Sequence, residues 1–239
     1  MIKDKIENID ADLKTFFTMS NVYDMAIEIL LMDVVQSKVI CELGAGSCNW
    51  SGIVSKNLDE QNTKFHLVEN FLESEKYADI GYPTTIDDLV KCSQNFKMNA
   101  TLYTNDIADM PDISEPIDVF RIDCDCGDDY ESFADWMLRN GSEKMIVFVD
   151  DIRLNIRPDR MWMMDELVRQ GKMEFLWGGY EEAAWCRPGV VDKRKVVEII
   201  KETYPYYYSF VNYASHCIFD SNKSYFVTRP KWTIDEPKL

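Results

Sequence analysis

Five short apolar runs, each ending in or beside an acidic residue, alternate with helical stretches along the first two-thirds of this chain. No other feature restricts its fold as much. Residues 38–43 (KVICEL) run into Gly44-Ala45-Gly46. Residues 65–69 end on Glu69, residues 100–104 are followed by Asn105-Asp106, 117–122 by Asp123, and 145–149 by Asp150-Asp151. Continuous apolar runs of this length read as buried strands. The intervening segments 50–58, 87–96 and 130–140 have helical character, as does the stretch up to residue 37, where Val22, Met25, Ile29 and Met32 recur at helix spacing. Strands alternating with helices predict a mostly parallel sheet with helices on both faces, a doubly wound α/β fold.

Beyond residue 152 the pattern weakens. Residues 159–170 and 191–203 read as helices, and 173–177 is a further strand candidate. Residues 206–219 and 224–228, rich in aromatic and β-branched types, read as two strands of a hairpin at the sheet edge. With 239 residues and no repeat or linker, a single domain is expected: a helical segment 1–37, a core 38–152, and a C-terminal part 153–239 carrying the edge hairpin and a substrate-covering loop. In that loop Trp177 and Trp185 are the expected acceptor-pocket walls.

Charge narrows the partners. The formal net charge is −16, so nucleic acid and anionic membranes are disfavoured as partners. No apolar stretch approaches the ~18–20 residues of a membrane span. The N-terminal residues are charged and lack the apolar core of a signal peptide. Seven cysteines, an odd number at irregular spacing, suit reduced thiols and a cytoplasmic location. Self-association is compatible with all of this.

In open α/β sheets ligands bind beyond the carboxyl ends of the strands. Carboxylates crowded at that edge repel one another, and a cationic ligand or a metal ion would relieve the repulsion. The glycine loop bears on which. Glu42 stands two positions before Gly44, where a carboxylate would repel the pyrophosphate of a dinucleotide. It suits the sulfonium and ammonium of S-adenosylmethionine (SAM), which has no phosphate. Glu69, 23 residues after Gly46, is placed to accept hydrogen bonds from ribose hydroxyls, a contact that either cofactor would use. Asp106 is placed for an adenine amino group. His66, inside the second strand, reads as a core histidine.

VICELGAG, HLVEN and TNDIADMP, in this order, resemble the first three motifs of the class I SAM-dependent methyltransferases. The resemblance covers about half the chain and implies a Rossmann-like, seven-stranded sheet with one antiparallel strand, which the C-terminal hairpin would supply. It also implies a SAM-contacting set of Glu42, Gly44, Ala45, Gly46, Glu69, Asn70, Asp106, Ile107 and Asp123. IDVFRIDCDCGDDYESFADWMLRNG followed by MIVFVDDI resembles the matching region of small-molecule O-methyltransferases, sugar and antibiotic types among them. Several of those hold magnesium, and the ligands carried over would be Asp123, Asp150 and Asp151. The alternative is that the acidic pair caps a turn and Asp123 orients the acceptor without metal. Cys126 stands where the resemblance leads one to expect a His or Lys base, which leaves Asp123, Asp125 and His216 as catalytic candidates. The expected activity is methyl transfer to a hydroxyl of a small molecule. A nicotinamide-dependent oxidoreductase and a non-catalytic SAM-fold protein are the rivals.

Overall fold

The apolar runs lie side by side in one sheet. The structure is a computed structural model and describes residues 2–15, 22–58, 62–71, 82–106, 109–124, 130–152, 158–179 and 182–203. In chain order the elements are α1 (Ile2–Thr15), α2 (Val22–Val35), β1 (Val39–Leu43), α3 (Asn49–Asn57), β2 (Lys64–Val68), α4 (Ile86–Asn95), β3 (Ala100–Tyr103), β4 (Ile117–Ile122), α5 (Tyr130–Asn140), β5 (Gly141–Val149), α6 (Pro158–Arg169), β6 (Glu174–Gly178), β7 (Ala183–Cys186) and α7 (Lys193–Thr203).

The seven strands are ordered β3-β2-β1-β4-β5-β7-β6. The first five pair in parallel with their neighbours. β7 runs antiparallel to both β5 and β6, so it is the single reversed strand. Alternate strand residues face opposite helical layers. Val119, Ile146 and Phe148 pack with residues of α1, α2, α3, α4 and α7. Phe120, Ile122, Val147 and Val149 pack with α5 and α6. Both faces of the central strands are covered, which is why they read as mainly apolar runs instead of alternating ones.

Two expectations need correction. The antiparallel strand is Ala183–Cys186, not part of a C-terminal hairpin; residues 206–219 and 224–228 lie outside the described residues. AAWC is short and half alanine, a residue depleted in strands, so only its burial between β5 and β6 makes it one. Trp177 and Trp185 do not line an open loop either. They are 0% and 1% exposed and belong to the core, with Trp185 edge-on to Phe175 at 5.6 Å. Among the described residues no helix is long and apolar enough to cross a membrane.

Candidate functional site

Sheet order reverses at β1, which has β2 on one side and β4 on the other. The crevice at such a switch point is where doubly wound sheets take their ligands, and the glycine loop lies there. Gly44 and Gly46 have φ of 82° and 48°, a left-handed region that glycine enters without steric cost. The amides of Gly44 and Ala45 donate to the Val68 carbonyl at 2.9 and 3.2 Å, so the loop folds over the end of β2. There the Gly46 amide donates to Glu69 Oε2 at 2.8 Å. Glu69 Oε1 accepts from the amides of Asn70 and Phe71 at 3.0 and 3.1 Å. A carboxylate has about four acceptor positions; three are used, leaving capacity for a hydroxyl donor. Tyr82 lies against the loop: a Cβ on Gly46 would come within 2.5 Å of its hydroxyl. The phenol was not singled out in the sequence.

Behind the loop the strand-end carboxylates converge on one buried guanidinium. Arg121, on β4, is the register partner of Glu42 on β1. Its Nη1 donates to Glu42 Oε1 at 3.3 Å and to Asp123 Oδ2 at 2.8 Å. Its Nη2 donates to Asp150 Oδ2 at 2.5 Å and to Glu182 Oε1 at 3.3 Å. All four Nη hydrogens therefore have a carboxylate. The guanidinium also sits over the Trp50 ring, 5.1 Å from its centroid, an arrangement that stabilises a desolvated cation. A second buried guanidinium, Arg160, donates to the carbonyls of Asp150 at 3.0 Å and Ile122 at 3.4 Å. It stands 4.0 Å from Asp123 Oδ1.

Arg121 and Arg160 bring fewer charges than the acids around them. Burial raises Glu42 to about 7 against the opposing pull of Arg121 and Ser51; the Ser51 hydroxyl donates to its other oxygen. Burial, then the neighbouring Asp150 carboxylate, raises Asp123 to about 8, although nearly a third of its side chain is open to solvent. Glu28, on α2, accepts from the Trp50 indole at 2.8 Å. Burial raises the neighbouring carboxyls of Glu28 and Glu182, each of which keeps one buried oxygen without a hydrogen-bond partner among the described residues. Two buried carboxyls side by side favour sharing one proton, which supplies a donor between them. Glu28→Gln supplies that donor permanently and still accepts from Trp50. It should raise the melting temperature by a few degrees near pH 8 and by less near pH 5, where the pair already carries its proton; thermal unfolding at the two pH values checks this.

The expected site residues are brought together only in part. Gly44, Ala45, Gly46, Glu69 and Asn70 form one patch. Asp123 adjoins it, its amide donating to the Leu43 carbonyl at 2.8 Å. Asp106 is exposed at the end of β3. Glu42, 2% exposed with both oxygens engaged, lies beneath the loop, so it is not free to meet a sulfonium directly. Ile107, Asp125, Cys126 and His216 lie outside the described residues. His66 is buried, with Nδ1 3.0 Å from the Tyr103 hydroxyl and Nε2 3.2 Å from Glu115.

The magnesium set does not fit. β5 ends at Val149, so the acidic pair is free of the strand, but Asp150 Oδ1 accepts from the Asp151 amide at 2.7 Å and its Oδ2 faces Arg121. Asp123 faces Arg121 too. Among the described residues no three His, Cys, Asp or Glu side chains are grouped to hold a metal ion. Besides Tyr82, the residues missed in the sequence were Arg121, Arg160, Glu28 and Glu182. A signal was present for two of them. Arg121 interrupts the apolar run IDVFRI, and Glu28 falls on the apolar stripe of α2; a charge in either place must find a partner.

No protein-family model and no curated protein matches this chain. Solved structures do. The O-methyltransferase TomG of Streptomyces achromogenes, in complex with SAM and involved in tomaymycin synthesis, is 14% identical; the match covers 77% of this chain and 89% of that one, with a TM-score of 0.52. The SAH-bound methyltransferase PaMTH1 of Podospora anserina is 12% identical over 77% and 87%, with a TM-score of 0.54. An O-methyltransferase of Bacillus cereus in complex with SAH is 13% identical over 77% and 90%, with a TM-score of 0.50. Likeness at this identity establishes the fold.

Proposed function

We propose that this chain, which has the Rossmann-like fold of the class I SAM-dependent methyltransferases, transfers a methyl group from SAM to a hydroxyl of a small molecule such as a sugar or secondary metabolite. The observation that carries the reading is the Gly44–Gly46 loop at the switch point, tied through its Gly46 amide to Glu69. That arrangement offers close backbone approach beside a carboxylate with room for a ribose hydroxyl. Asn70 and Asp106 continue the same edge toward an adenine. Bound there, SAM would supply a methyl group carried on sulfonium.

Asp123 is the best-placed base. It adjoins the loop, part of it is exposed, and its carboxyl is raised to about 8, near the operating pH where a general base is most effective. It would accept the acceptor's proton as the hydroxyl oxygen attacks the methyl in line. Asp125 and His216 stay candidates on the sequence argument alone. The case against a dinucleotide changes its footing. Glu42 is buried and paired, so it no longer repels a pyrophosphate. The strand order argues against a dinucleotide instead, because the dinucleotide fold runs 3-2-1-4-5-6 and has no reversed strand such as β7.

Calorimetric titration of the chelator-treated chain with SAM, with S-adenosylhomocysteine and with NADH tests the assignment. Saturable binding of the first two and none of NADH is expected. Glu69→Ala, which releases the loop, should weaken SAM by at least about tenfold, ~1.4 kcal/mol. Absence of any SAM or S-adenosylhomocysteine binding would overturn the reading.

A further inference from the structure

We propose that Arg121 is the resident cation of this site, and that the strand-end carboxylates therefore hold no divalent metal ion. A hard divalent cation needs carboxylate oxygens at about 2.0–2.6 Å, with lone pairs directed at it. The oxygens that converge here are directed at a guanidinium. Asp123 Oδ2 and Asp150 Oδ2 lie 2.8 and 2.5 Å from Arg121 nitrogens, and Glu42 and Glu182 complete the ring at 3.3 Å. A metal ion bonded to the same oxygens would sit close to that fixed charge. It would be repelled by the guanidinium and would leave Nη hydrogens buried without acceptors.

Arg121 is also not free to swing aside. It is 2% exposed, rooted on a central strand between β1 and β5, and covered by the Trp50 ring. Arg160, 1% exposed, brings a second positive charge 4.0 Å from Asp123. For the methyl transfer proposed above, the consequence is that nothing in this cluster would select vicinal hydroxyls by chelation. Deprotonation of a lone hydroxyl would fall to the protein's own base.

The inference stands whether or not SAM binds, and the experiment separates the two. The chelator-treated full-length chain is titrated with Mn2+ without SAM, and free Mn2+ is followed by its electron paramagnetic resonance signal. Wild type should take up no stoichiometric Mn2+ with a dissociation constant below about 1 mM, the weak end of protein sites for hard divalent cations. Arg121→Lys keeps the charge and should behave the same. Arg121→Met leaves the carboxylates without their cation and, where folded by circular dichroism, should take up one equivalent. Stoichiometric uptake by wild type that Asp150→Asn abolishes would overturn the proposal, and the wild-type result decides it even if Arg121→Met does not fold.

Discussion

Arg121→Met should cost about 3–5 kcal/mol of stability, the range for removing one partner of a buried ion pair. For a chain of this size that is a fall in melting temperature of roughly 6–20 °C. Methionine fills much of the volume, so the loss is not chiefly a cavity. It arises because Glu42 and Glu182 stay buried and Asp123 and Asp150 partly so, and all four lose the hydrogens they share. The penalty must therefore depend on pH. Arg121 pulls Glu42 and Asp123 down, yet they still sit at about 7 and 8; without it they move higher and stay protonated near pH 5. Urea unfolding should show the larger loss near pH 8 and a smaller one near pH 5. Equal losses at both would mean that packing, not charge, is what Arg121 supplies. Wild type should show the same sign more weakly. Carboxyls raised in the folded state stabilise it fully below their unfolded values, and that contribution is lost as pH climbs through about 7 and 8.

What could be read from the sequence was whatever depends on neighbours along the chain. β1, β2, β4 and β5 declared themselves because a strand covered on both faces is apolar at most positions, and α5 because its polar and apolar residues alternate at helical period. The glycine loop and Glu69 were legible for a similar reason: a turn at the end of one strand and an acid at the end of the next are local signals. β7 was not, since four residues with two alanines carry no strand signature and its place is decided by partners at Val149 and Gly178. The cation between Glu42, Asp123 and Asp150 was missed for a related reason. Their mutual repulsion was taken to require an external cation, while the internal one stood two residues before Asp123. The bonds from Arg121 to Glu42 and Glu182 span 79 and 61 residues. Nothing local reveals that strand order will bring them together, or that Glu28 on α2 will meet Glu182 beside them.

Gly44→Ala should weaken SAM binding by at least about a hundredfold, ~2.7 kcal/mol, and Gly171→Ala should leave it unchanged. The two glycines share a left-handed backbone, with φ of 82° and 68°, so both alanines meet the same intrinsic strain of about 1–2 kcal/mol. Their surroundings differ. A Cβ at Gly171 meets nothing within 4 Å, whereas at Gly44 it would stand 2.3 Å from the Asp123 carbonyl oxygen and 2.8 Å from its carbon. Those are backbone atoms at the end of β4, held by the hydrogen bond from the Asp123 amide to Leu43, and they cannot turn away as a side chain would. Relief requires β1 and β4 to part where the loop begins. That displaces the Gly46 amide from Glu69 and moves Asp123 relative to the loop, so binding and base placement are lost together. Calorimetry with SAM on both variants, alongside their melting temperatures, separates strain from site geometry. If Gly44→Ala is less stable than Gly171→Ala yet binds SAM as wild type does, the cofactor is not held at this loop.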